Sequence, residues 1–246
     1  MPIFWVQAIL PAYYHDTVPP GFIVLFLGVA IVLFFYSQYA SAKRRRDLAA
    51  WAAEHGLALA EGKFDDFDRK YPEFSCLQNG DNRCAYNLLR GRWGQRDVLG
   101  FDYRYVIQAG KSRQEHVFSA VIVSSPIPLQ PLTIRPEGLL DKVGEFFGAE
   151  DINFESADFS RKFFVKAVNK RWAYDVIHPR VMELLLASPP FRIQFGLVSV
   201  MAYRQSPFKP ADFQAAFQVV CGILDQLPEY VIQQQGQLRP PVQGEA

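Results

Sequence analysis

Residues 21–36, GFIVLFLGVAIVLFFY, hold no charged or amide side chain, and Lys43, Arg44, Arg45 and Arg46 follow seven residues later. A helix needs roughly 20 mostly apolar residues to cross a bilayer. The run supplies 16, and residues 18–20 and 37–39 extend it into the two interfaces. Pro19 and Pro20 suit a helix start, where a missing N–H does no harm. Tyr13 and Tyr14 before the run, with Tyr36 and Tyr39 at its end, are rings that belong at headgroup depth. Gly28 and Ala30 are too sparse for a dimerising face.

Two other readings are weaker. A cleaved signal peptide carries positive charge before its apolar core, and residues 1–20 contain no Lys or Arg, although Ala40-Ser41-Ala42 mimics a small-residue cleavage site. A buried core helix does not account for the flanking rings and the basic cluster. A retained span over residues 18–40 is therefore expected. Cytoplasmic flanks carry the excess of Lys and Arg, so the N-terminus is expected outside and the chain from about Ser41 in the cytoplasm, at the cytoplasmic (inner) membrane. Residues 1–14 are apolar too (Ile3, Phe4, Trp5, Val6, Ile9, Leu10). They either lie in the outer interface or pack on another membrane protein.

The layout read from these signals is an outer segment over 1–17, the span over 18–40, a juxtamembrane helix and linker over 41–60, a cytoplasmic domain over 61–232 and a disordered tail over 233–246. All 26 Lys and Arg lie after Ala42, whereas one of the 25 acids, Asp16, precedes it, which leaves the remainder at +2. That balance argues against nucleic-acid binding, which shows as a strong basic excess. The aromatic share of 15%, with 21 Phe, suffices for a packed core. Cys76, Cys84 and Cys221 fit free thiols in a reducing compartment. Cys76 and Cys84 alone fall short of a zinc pattern, so no metal and no cofactor is expected.

Residues 44–56, RRRDLAAWAAEHG, read as a helix with Leu48, Trp51 and Ala52 on one face and Gly56 as its C-terminal cap. The acidic, aromatic residues 61–73 read as a solvated loop. From Ala85 the period becomes two. A tight turn at residues 93–96 leads into Phe101, Tyr103, Tyr105 and Ile107 on one face, with Asp102 and Arg104 on the other. Residues 117–123 continue the meander. Residues 129–134, among Pro126, Pro128 and Pro131, suit an edge strand. The expectation is an antiparallel meander with one buried face.

Pro136 opens a helix striped by Leu139, Leu140, Val143, Phe146 and Phe147. Phe163 and Val165 then alternate with Lys162 and Lys166. Residues 172–177 are helical, and Pro179 starts a second helix, since proline is tolerated at a first position and not in an interior. Residues 191–202 form a hairpin around Gly196. A helix with Phe213, Ala216, Phe217, Val220, Leu224 and Leu227 runs between Pro210 and Pro228. Strands and helices do not alternate as βαβ units would, so the fold class is α+β, an antiparallel sheet with packed helices after one transmembrane helix. The alternative is a pleckstrin-homology-like barrel with a helical insertion.

No G-x-S-x-G, Walker A, H-E-x-x-H or G-x-G-x-x-G motif occurs. Asp175 and His178 are the one nameable pair, a carboxylate that could orient an imidazole base. With no nucleophile beside them, His178 reads more simply as an N-cap or core residue, and no catalytic residue is assigned. Candidate contacts to lipid or a partner are Lys43, Arg44, Arg45, Arg46, Arg161, Lys162, Lys166, Lys170 and Arg171, the latter five interleaved with Phe163 and Phe164. Each such cation near anionic lipid is worth about 1 kcal/mol.

The chain resembles a family of uncharacterised bacterial membrane proteins with one N-terminal span and a cytoplasmic domain. The likeness is carried by RRRDLAAWA at residues 44–52 ending at Gly56, by Gly100-Phe101-Asp102-Tyr103, by Pro136-Glu137-Gly138-Leu139-Leu140, by DINFESADFSRKF at residues 151–163, and by His178-Pro179-Arg180-Val181-Met182. It covers about residues 41–230, and it implies the anchored layout without any catalytic residues. The expected function is a non-enzymatic, membrane-anchored binding or scaffold domain, an accessory subunit of a membrane protein assembly. The alternatives are an anionic-lipid headgroup module and an enzyme of unknown reaction.

Overall fold

Helical backbone is unbroken from Pro20 to Glu54 (α1) in the computed structural model, which describes residues 20–110, 112–137 and 150–237. The chain divides into two compact units, Met1–Arg45 and Arg46–Ala246. In the first, α1 is apolar on every side, and it is long and apolar enough to cross a membrane. Val24 is 70% exposed and Phe35 66%, so this apolar surface is not used inside the protein.

In the second unit the last turns of α1 bury Leu48, Trp51 and Ala52. Gly56 ends the helix at φ +68°, with Leu57 N–H donating to Ala52 O (2.8 Å) and Gly56 N–H to Ala53 O (3.3 Å). This is the paired hydrogen-bond pattern of a glycine C-cap.

Among the described residues nine strands follow: β1 (Ala58–Phe64), β2 (Asp81–Trp93), β3 (Arg96–Ala109), β4 (Ser112–Ser124), β5 (Leu132–Pro136), β6 (Glu150–Asp151), β7 (Phe163–Ala167), β8 (Arg192–Phe195) and β9 (Ser199–Arg204). They form one antiparallel sheet in the order β1-β2-β3-β4-β9-β8-β5-β7-β6. The helices are α2 (Phe67–Lys70), α3 (Ala157–Lys162), α4 (Lys170–Val176), α5 (Pro179–Ala187), α6 (Pro210–Asp225) and α7 (Glu229–Gln237), with a 3-10 turn at Ser75–Gln78. The α+β class holds. The sheet is open, with β1 and β6 at its edges, which replaces the barrel alternative.

Both faces of the sheet are covered, not one. Val121, Val123, Val200 and Ala202 point to a core completed by Phe159, Trp172, Val181, Phe213 and Phe217 from the helices. Phe101, Tyr103, Phe118 and Ile122, of opposite parity, meet Phe67, Phe74, Cys76 and Leu77 from α2 and the 3-10 turn. Burying a side chain such as Phe213 contributes about 1.5–3 kcal/mol. Asp102, expected at a polar face, is fully buried beneath the helices.

The acidic stretch 61–73 is no solvated loop. It supplies part of β1 and all of α2, and Asp68, 7% exposed, pairs with Arg83 at 3.2 Å. β5 is interior, between β8 and β7. Pro126, Pro128 and Pro131 precede it and so remove no ladder donor from it. The helix expected after Pro136 lies outside the described residues, as do residues 1–19. Residues 233–237, expected in the tail, are the last turns of α7, with Gln235 buried.

Gly80 sits at φ +59°, and a Cβ there would lie 2.3 Å from Val106 O. The obstacle is backbone, so it cannot swing aside. Gly80→Ala is expected to cost about 2–4 kcal/mol, combining left-handed strain with overpacking. Thermal melting followed by near-UV circular dichroism measures it, and an unchanged melting temperature would contradict the clash.

Candidate functional site

Local capping builds the more apolar of the two larger concave sites among the described residues. Ser156 Oγ accepts from Phe159 N–H (3.3 Å) to start α3, and Asn169 Oδ1 accepts from Trp172 N–H (3.2 Å) to start α4. Pro179 occupies the first position of α5, after His178 at the N-cap. α5 buries Val181 and Leu185 in the core and leaves Met182 and Leu186, one residue on, half-buried. These two, with Phe154, Ile177, Glu155 and Glu183, line a groove of about 560 Å³ that also takes in His178 and Tyr174. Its volume is in the range of ligand sites. Glu155 and Glu183 are exposed, and among the described residues no Lys or Arg lines the groove.

The structure does not join Asp175 to His178 as a dyad. His178 Nε2 lies 2.9 Å from Gln226 O, a contact that ties the start of α5 to the end of α6. Asp175 Oδ1 accepts from Tyr230 Oη–H at 2.6 Å, and its Oδ2 lies 3.9 Å from Arg171 Nε. The hydrogen bond to Asp175, which favours the neutral phenol, raises the Tyr230 pKa above its ordinary value. Among the described residues the imidazole therefore has no orienting carboxylate. His178 is an N-cap residue by position, although its side chain makes no capping bond.

A second, more polar cleft of about 810 Å³ lies where the β2–β3 turn meets α6, lined by Trp93, Gln95, Arg96, Gln218, Cys221 and Asp225 among others. Arg96 donates from Nη2 (2.7 Å) and Nε (3.1 Å) to Asp225 Oδ1. Trp93 is no open platform, since Phe217 (5.4 Å) and His55 (5.5 Å) both stack with it. Burial pushes the Cys221 thiol up to about 11. Thiolate is the nucleophile, so at pH 8 maleimide should label Cys221 about a hundredfold more slowly than a free cysteine. Mass spectrometry after timed quenching checks this, and labelling at the free-thiol rate would show the site is not desolvated.

The basic residues divide. Lys43, Arg45 and Arg46 are exposed on α1 and Arg44 is half-buried. Arg161 and Lys162 end α3 at the start of β7, with Arg161 paired to Asp158. Lys170 and Arg171 begin α4 past the other end of β7, five residues of strand away, or about 16 Å. Lys166 is half-buried on β7 itself. The five do not form one patch. Lys170 and Arg171 instead follow Val168, 57% exposed, at the end of the sheet that also carries Leu197 (62%) and Val198 (59%).

The groove was not read from the sequence, although a signal was there. α5 reads VMELLL, with apolar residues on more sides than one core contact needs.

No family model matches the chain, and no curated protein matches it in sequence. Among solved structures, the crystal structure of the mycobacterial trehalose monomycolate transport factor A, TtfA, is similar, with a TM-score of 0.57 at 12% identity. The match covers 74% of this chain and 92% of that one. At that identity the likeness is one of fold. The family resemblance rests on its short motifs.

Proposed function

We propose that the chain is a membrane-anchored accessory subunit, whose domain from Arg46 onward binds a partner in a membrane protein assembly. The observation that carries this is α1, whose charge-free apolar run is exposed and is followed within two turns by Lys43, Arg44, Arg45 and Arg46. In this reading the span is retained in the cytoplasmic membrane, residues 1–17 are outside, and residues 41–246 are in the cytoplasm. The fold shared with a protein named as a transport factor is compatible with such a role. Chemical crosslinking in native membranes, followed by purification in mild detergent, is expected to recover a stoichiometric membrane-protein partner. A solitary monomer under those conditions counts against the reading.

A second reading, contact with anionic lipid, is favoured by Lys170 and Arg171 beside Val168, Leu197 and Val198, where cations adjoin exposed aliphatic tips. The full chain in nanodiscs of neutral or anionic lipid tests it. Hydrogen exchange around residues 168–171 and 197–198 should slow only with anionic lipid and recover in high salt. Equal exchange in both lipids removes the idea.

A further inference from the structure

The groove between α4, α5 and residues 152–156 combines an apolar floor with a carboxylate rim. Phe154, Ile177, Met182 and Leu186 form the floor, and Glu155 and Glu183 stand at its edge without an ion-pair partner among the described residues. Met182 adds an unbranched, polarisable side chain that adapts to different apolar shapes. The rim decides between occupants. An acyl chain would suit the floor, but the headgroup of an anionic lipid would face two carboxylates and be repelled. A cationic side chain next to apolar ones satisfies both parts at once.

We infer that this groove receives a basic, apolar protein segment, the Lys- or Arg-bearing end of a helix from a membrane-protein partner. The inference rests on the accessory-subunit reading for its source of such segments. Cytoplasmic flanks of membrane helices carry Lys and Arg directly beside apolar residues, which is the chemistry the groove complements. The mode is that of an amphipathic helix laid into a groove, with side chains one turn apart as anchors. Met182 and Leu186, four apart on α5, offer the matching ridge. Such a site selects by sign of charge, since like charges brought together oppose the wrong partner.

The test uses the full chain in neutral-lipid nanodiscs. The probe is a fluorescent synthetic helical peptide with Leu and Phe on one face and Lys at its end, and a second peptide has Glu in place of Lys. The Lys peptide is expected to bind at least about tenfold more tightly than the Glu peptide, with affinity falling as salt rises. The double variant Glu155→Gln, Glu183→Gln should lower Lys-peptide affinity about tenfold and flatten the salt dependence. Both carboxylates are exposed, so this variant should fold as the parent does. Met182→Lys, which places a cation in the floor, should abolish binding. Equal binding of the two peptides, or unchanged affinity in the double variant, overturns the inference. So does displacement of the peptide by anionic lipid, or by a second copy of the chain. If the double variant still crosslinks to its native partner and still binds peptide, the groove assignment fails while the accessory reading stands. Groove-dependent peptide binding without any native partner means the opposite: the groove stands and the accessory reading fails.

Discussion

Asp102→Ala is expected to destabilise the domain by about 2–5 kcal/mol, the cost of depriving the partners of a buried carboxylate of their hydrogen bonds. Asp102 is fully buried on β3, between β2 and β4. Its Oδ2 accepts from Asn87 Nδ2 at 2.8 Å, and its Oδ1 accepts from the Ser119 hydroxyl. The same hydroxyl oxygen accepts from Phe208 N–H (2.8 Å), and Ser119 N–H donates to Ser206 O (3.3 Å). One carboxylate thereby ties three strands to the loop that delivers α6, the main helix over that face. Removing it takes away the acceptor of the half-buried Asn87 amide and of the buried Ser119 hydroxyl. For a domain of this size the melting temperature should fall by roughly 10 °C. Asp102→Asn keeps the shape and some hydrogen-bonding capacity, so it should cost less. Differential scanning calorimetry of the detergent-solubilised chain decides the matter. A loss below about 1 kcal/mol would mean that the network relaxes around the deletion.

The same residue shows where local pattern stops being informative. Alternation in β3 correctly grouped Phe101, Tyr103 and Tyr105, because strand parity is a local property, but Ile107, read onto the same buried face, is exposed. It could not say that the opposite face would be roofed by α6 from more than a hundred residues later, so Asp102 read as solvent-facing. Several prolines and glycines punctuated the chain as read, although Pro136 closes β5 and the prolines before β5 do not mark an edge. Pro179 and Pro210 start α5 and α6, Gly56 caps α1, and Gly94 at φ +61° lies in the β2–β3 turn. These devices act within a turn of their own position. Strand order does not. That β9 inserts beside β4 and places β8 and β5 inward depends on contacts far apart in sequence. The basic residues 161–171 look continuous in the sequence, yet one short strand separates them into two ends of the sheet. The groove likewise joins residues 154–156 to α4 and α5, and only the surplus of apolar residues on α5 hinted at it.

Exchanging the charges at the ends of the apolar helix should have the largest effect on the protein as a whole. Residues 1–42 contain no Lys or Arg, so the asymmetry across the run is set by Lys43, Arg44, Arg45 and Arg46 with the cations that follow. Replacing these four by Gln and adding Lys residues ahead of Pro19 is expected to move a large fraction of chains to the opposite orientation. The core contact of the helix begins at Leu48, beyond the substituted positions, so folding of the domain from Arg46 onward should be largely preserved. External protease applied to intact spheroplasts should leave the parent domain untouched and digest it in the charge-exchanged chain. Digestion of the parent would place the domain outside and remove the accessory reading in its present form. A mature parent chain that begins after Ala42 would show instead that the apolar helix is cleaved. Its exposed side chains would then require no lipid at all. The two results separate a wrong orientation from a missing anchor, and only a protected, full-length parent is compatible with α1 as a retained span that leaves the domain in the cytoplasm.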